Sequence, residues 1–122
     1  MSDLGSLDFA YLTTSGRITG APHEIEIWFA IDGERVYMLS GGGDRSDWVR
    51  NLKRTPEVSV RVGESTFGGH GRIVESLEED VKARRLLLGK YGPRYAGDLS
   101  GWGRSALPVA VDLTRQAGRN EP

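Results

Sequence analysis

The stretch from His23 to Ser40, HEIEIWFAIDGERVYMLS, limits what this chain can fold into more than any other. Ile25, Ile27 and Phe29 alternate with Glu24, Glu26 and Trp28, the pattern of a strand with one buried face. Asp32-Gly33 then signals a two-residue hairpin turn, and Glu34 to Ser40 supplies the returning strand. Strands joined this tightly run antiparallel, because a parallel pair needs a crossover of a dozen or more residues. The neighbouring segments read the same way. FAYLTTSGR (9–17) is a strand closing on Ser15-Gly16, and ITGAP (18–22) is a loop. EVSVRVG (57–63) turns Val58, Val60 and Val62 inward, and STFGGHGRIVE (65–75) is a strand interrupted at Gly68-Gly69 by a bulge.

Two helices punctuate these strands. Ser46 is a suitable N-cap for a short helix through Arg54, with Asp47 in its first turn and Trp48, Val49 and Leu52 on one apolar face, and Pro56 ends it. SLEEDVKARRLLLGKYG (76–92) begins with a capping box, Ser76 and Glu79, and offers Leu77, Val81, Leu86 and Leu88 for packing. PRYAGDLSGWGRS (93–105) is turn-rich, ALPVAVDL (106–113) is a last strand, and the polar tail from Thr114 to Pro122 is expected to fray. The order is strand, hairpin, short helix, two strands, long helix, strand. It predicts a mainly β fold with α-helices (α+β), a mostly antiparallel sheet closed into a small barrel flanked by helices. Such a barrel is filled by its own side chains, so a ligand binds outside it or at a subunit seam.

A chain of 122 residues fits one domain, with a core from about residue 9 to 113. Sixteen basic residues balance seventeen acidic ones, which gives no nucleic-acid-binding signature. Without cysteine there is no thiolate metal site, disulfide or cysteine nucleophile, and His23 and His70 show no metal-ligand spacing, so no metal is expected. The amino terminus has neither a basic start nor a long apolar run, and a cytoplasmic protein without a membrane span is expected.

SGGGDRS (40–46) is either a plain connector or an anion cradle. In the second case the amides of Gly41, Gly42 and Gly43 face one concavity, the next helix adds its positive end, and Arg45 closes the site. It matches neither a Walker loop nor G-x-G-x-x-G. Glu24 and Glu26 form an acid/base pair or a solvated face salt-bridged to arginines; His70 between glycines is structural or exposed. No nucleophile elbow occurs, so hard chemistry requires a bound cofactor. Trp28 stands on the polar side of its strand, where an aromatic ring needs a flat ligand, a second subunit or cover from the long helix. Tyr91, Tyr95 and Trp102 roof a pocket or form satellite packing.

LTTSGRITGAP (12–22), IWFAIDGERVYMLSGGG (27–43) and DWVRNLKRTPEVSVRVG (47–63) together resemble the deazaflavin-dependent nitroreductase family of split β-barrels, which are similar to pyridoxamine-phosphate oxidases. The resemblance implies a homodimer that binds coenzyme F420 outside the barrel near the dimer seam and passes hydride to quinones, nitroaromatics or similar acceptors. It implies Ser40 and Gly41 to Gly43 against the deazaflavin ring, Trp48 and Asn51 holding that loop, and Arg17 at the phosphate and acidic tail. It further implies Pro22 and His23 at the entrance, Trp28 facing ring or substrate, and Tyr91 and Tyr95 on the substrate side. Relatives often carry basic residues where this chain has Ile18, Ala21 and His23, and proline in place of Glu26. GAPHEIEIWF also resembles the flavin-binding branch, so FMN is the alternative cofactor, and a non-catalytic binder of a lipid or tetrapyrrole is the alternative class.

Overall fold

The computed structural model describes residues 4–95 and 97–117. Its strands are β1 (Ala10–Ser15), β2 (Pro22–Ile27), β3 (Ala30–Asp32), β4 (Arg35–Ser40), β5 (Glu57–Val62), β6 (Ser65–Ile73) and β7 (Leu107–Ala117). Its helices are α1 (Asp47–Arg54), α2 (Leu77–Tyr91) and α3 (Ser100–Ser105). All strands join one sheet in the order β2-β1-β5-β6-β7-β4-β3, with every pairing antiparallel.

The two edge strands are consecutive in the chain. Laid flat, seven strands would hold β2 and β3 about 29 Å apart, at about 4.8 Å per step. Only Trp28 and Phe29 separate them, and such a link reaches about 11 Å. The sheet therefore curls on itself, and its open seam lies at Trp28-Phe29. This divides the long strand expected over 23–31.

The curl makes two cores. Inside lie Leu12, Phe29, Val36, Met38, Val60, Val62, Val109 and Val111, with Val49 and Leu52 of α1 packed among them. Val58, Val60 and Val62 face inward as their alternation predicts. Outside, Ala83, Leu87 and Tyr91 of α2 cover Tyr37, Leu39 and Ala110. Leu77 and Val81 do not pack as expected: they are 79% and 52% exposed. The first turns of α2 are held by charge instead. Arg72 donates to both carboxylate oxygens of Glu79 at 2.8 Å and to Asp112, while the Tyr37 hydroxyl also reaches Glu79 at 2.8 Å. Ser76 caps α2 by accepting the Glu79 N–H, but the Glu79 side chain serves this clamp rather than closing the box.

The hairpins use Gly33 and Gly63, each first of two loop residues and each at positive φ, as a tight turn requires. The turn is thus Gly33-Glu34, one residue beyond the expected Asp-Gly. The bulge occurs opposite Gly68/Gly69 as anticipated, with Thr114 of β7 as the extra residue, bonded to the Gly68 carbonyl. β7 continues to Ala117, through part of the segment expected to fray; residues 118–122 lie outside the described residues.

At Gly71 a Cβ would lie 2.4 Å from Leu52 Cδ1 and 2.6 Å from its Cγ, so α1 seats directly on the β6 backbone. Gly71→Ala should cost about 1–3 kcal/mol in urea unfolding, and markedly less in a Leu52→Ala background. The Arg72 guanidinium, followed by the Tyr37 hydroxyl and nearby positive charge, outweighs burial and holds Glu79 down at about 2. A depressed carboxylate stabilises the fold fully above its unfolded value of 4.5 and loses that contribution as pH falls toward about 2. Denaturation midpoints followed from pH 5 to pH 2 should therefore fall, and Glu79→Gln should flatten the decline.

Candidate functional site

Among the hollows that the described residues form on the outside of the barrel, two draw on β2. The first, about 550 Å³, lies where the β1–β2 loop meets α1 and is lined by Arg17, His23, Glu24, Asp47, Trp48 and Asn51, among others. Asn51 organises it. Although only 4% exposed, its Oδ1 accepts from the Arg17 amide at 3.2 Å and from Arg17 Nη1 at 2.9 Å, and its Nδ2 donates to Thr14 Oγ1. Asn51 thus holds the Arg17 loop, whereas the expected anchoring was of the glycine loop. Arg17 Nη2 reaches Asp47 at 3.1 Å, with side chains 31% and 84% exposed. An exposed pair of this kind is worth about 0–1 kcal/mol, so an anionic ligand can displace Asp47 cheaply. His23 lies over Gly16, where a Cβ would come within 2.8 Å of its ring. Pro22, exposed, opens β2 opposite Ser15.

The second hollow, about 480 Å³, lies at the seam and is lined chiefly by Glu26, Trp28, Leu39, Tyr95, Asp98 and Trp102. Trp28 is its centre. Its ring stacks on Tyr91 at 4.3 Å with a 4° interplanar angle, and meets Tyr95 and Trp102 edge-on at 5.8 and 5.5 Å. Tyr91 is buried, and its hydroxyl accepts the Phe29 N–H at 3.0 Å while lying 2.8 Å from the Asp8 carbonyl and 3.1 Å from that of Phe29. Lys90 Nζ donates to the same Phe29 carbonyl at 2.9 Å and sits 3.6 Å over the Phe29 ring; burial, with Arg94 nearby, lowers its pKa to about 8. The seam residues are pinned from below, and Trp28 is presented on top. Tyr95 stands at the rim, 49% exposed.

The glycine loop leads off β4 toward this hollow. Ser40 is buried, its hydroxyl bonded to the Gly43 carbonyl and to Ser46 Oγ at 2.8 Å. Ser46 occupies the N-cap position of α1 as expected, its carbonyl accepting the Arg50 N–H, but its side chain makes no cap hydrogen bond. The Arg45 amide adds a bond to the Gly42 carbonyl at 3.3 Å. These bonds draw on no amide of Gly41, Gly42 or Gly43. A Cβ on Gly41 would sit 3.8 Å from the Trp102 ring, and one on Gly42 would meet Ser46 Oγ at 2.5 Å. Bare main chain at Gly41 therefore runs beside the Trp102 ring. Arg45 is exposed at the loop.

Sequence reasoning missed Glu26 as a lining residue, along with Leu39, Asp47 and Asp98. Glu26 and Glu24 resolve instead as partners of the Tyr11 hydroxyl and of Arg61. His70 is exposed and faces Glu57 across the β5–β6 pair. Among the described residues, no group of three or more His, Asp or Glu could hold a metal, and no helix is long and apolar enough to cross a membrane.

The curled seven-stranded antiparallel sheet with its flanking helices defines a split β-barrel of the pyridoxamine-phosphate-oxidase-like kind. The chain belongs to the F420H(2)-dependent quinone reductase family, whose sequence profile matches residues 2–114. It is thus an F420-dependent oxidoreductase. An F420H(2)-dependent quinone reductase of Mycobacterium tuberculosis (strain ATCC 25618 / H37Rv) is 33% identical over 109 residues, covering 86% of this chain and 72% of that protein. An F420 reductase of known structure superposes with a TM-score of 0.68 at 20% identity, covering 95% of this chain and 94% of the other. A pyridoxamine 5'-phosphate oxidase-like protein of Listeria innocua gives 0.69 at 18%, covering 93% and 89%.

Tyr91→Phe keeps the stacked ring but leaves the Phe29 N–H without its acceptor. It should cost about 1–3 kcal/mol of stability and shift the tryptophan emission of the folded protein, which fluorescence-detected urea titration reads together.

Proposed function

We propose that this protein reduces quinones, with the ring of coenzyme F420 seated along Gly41 to Gly43 and Trp28. Its phosphate and acidic tail pass Arg17, Pro22 and His23, and the acceptor lies at the Tyr95 and Trp102 end of the seam hollow. The observation that carries this reading is the bare Gly41 backbone alongside the Trp102 ring. The coenzyme supplies hydride. The protein supplies the seat, the orientation and shelter from water.

Each residue has a distinct part. Ser40 fixes the loop from beneath, Trp48 and Asn51 hold the Arg17 loop against α1, and Arg45 adds charge at the rim. Tyr91 positions Trp28, and Tyr95 meets the acceptor. Phe9, 41% exposed, lines a hollow with Tyr95 and Trp28, an apolar surface that a second protomer covers in a homodimer.

F420 and FMN titrated side by side should show F420 binding the tighter, and tighter binding of FMN would overturn the cofactor placement. Gly42→Val should weaken F420 at least about tenfold, since its Cβ would displace Ser46 Oγ and disturb the loop, while the protein still unfolds in one cooperative transition. Arg17→Ala should weaken F420 and reduce the salt dependence of its affinity; a variant with the wild-type salt slope would exclude Arg17 from the tail site.

A further inference from the structure

The seam hollow carries a charge pattern that quinone reduction does not require. Trp28, Tyr95 and Trp102 present three aromatic rings, with Tyr95 and Trp102 each nearly perpendicular to Trp28. Among the described residues, the only charged side chains lining it are Glu26 and Asp98. Both are held in place. Glu26 Oε2 accepts the Tyr11 hydroxyl at 2.7 Å, and Asp98 Oδ1 accepts the Ser100 amide at 3.0 Å. The Ser100 amide and side chain also keep Asp98 below the usual carboxylate range, with a small contribution from Arg104, which does not line the hollow.

Aromatic rings attract cations through their quadrupoles, and carboxylates held at the rim of the same hollow reinforce that attraction. A neutral quinone gains nothing from the two carboxylates, and an anionic one is repelled. We infer that the acceptor end of this hollow selects positively charged aromatic acceptors, planar rings bearing a quaternary ammonium or a ring-nitrogen cation, over neutral and anionic ones. The inference rests on the proposed use of this hollow for the acceptor. The chemistry balances with the reductant already required. A quinone takes up a hydride and a proton from the reduced coenzyme and becomes a hydroquinone. A ring-nitrogen cation takes the hydride alone, is neutralised, and the coenzyme's remaining proton passes to water, so the hollow need contain no proton donor.

The test uses one naphthoquinone in three forms: the parent, a trimethylammonium derivative and a sulfonate, each reduced with F420H2 at low and at moderate salt. The ammonium form should exceed the sulfonate in kcat/KM at least about tenfold at low salt, mainly through KM, and salt should narrow the gap. Asp98→Asn and Glu26→Gln should each narrow it as well. Calorimetric titration with benzyltrimethylammonium, benzyl alcohol and benzoate reads the same preference without turnover, and only the ammonium should bind measurably. Equal kcat/KM for the charged quinones, or equal binding of the three benzyl compounds, would overturn the inference while leaving quinone reduction intact. A cation preference in calorimetry with no quinone reduced would uphold the charge selectivity and sink the acceptor assignment on which the proposed function depends.

Discussion

The two-residue link between β2 and β3 is the constraint on which the rest of this structure depends. Because it joins the two edges of a seven-stranded sheet, the sheet must close. Closure places Phe29 inside the barrel and leaves Trp28, its neighbour, on the outside. One peptide bond thus separates the main core from the candidate site. The Tyr91 hydroxyl and Lys90 ammonium fix that bond's surroundings by occupying the Phe29 amide and carbonyl. Ligand geometry is therefore inherited from barrel geometry.

A division of labour follows between apolar and polar contacts. α1 enters the barrel core through Val49 and Leu52 and cannot move without opening it. α2 packs its apolar side from Ala83 onward, at Ala83, Leu87 and Tyr91 with Leu86 beside them, and is held earlier by the Arg72–Glu79–Asp112 clamp. The clamp is only partly exposed, with Glu79 at 13%, so it is less screened than the surface pair of Arg17 and Asp47. The stronger polar network fixes architecture, and the weaker one lies where a ligand can replace a partner.

Much of this was legible in the residues. Alternation in EVSVRVG, the cap at Ser76, the bulge beside Gly68-Gly69 and the resemblance carried by TTSGR and WVRNL all describe local chemistry, or motifs short enough to read directly. Arg17, His23, Trp48 and Asn51 do converge on one hollow, and Trp28 and Tyr95 on another. What escaped depended on distant neighbours. The break at Trp28-Phe29 is imposed by sheet closure, since alternation alone continues through it. Leu77 and Val81 have helical spacing, yet the stripe that meets the sheet lies at Ala83, Leu87 and Tyr91. Ser46 has the right residue type for a cap, but its hydroxyl is claimed by Ser40 from the end of β4. Asp98 sits in a segment with no periodic signal and enters the site only because α3 folds Trp102 back over Trp28.

The Tyr91 hydroxyl joins backbone groups 62 and 83 positions away in sequence. Closing loops of that length carries a large entropic cost, which is recovered only after the intervening strands have paired. The pairing of β4 with β7, from Ser40 opposite Leu107 to Arg35 opposite Asp112, bridges stretches of chain just as long, so the aromatic wall and the barrel draw on the same long-range order. Because β7, the last described strand in the chain, sits within that closure between β6 and β4, the wall and the barrel become complete together.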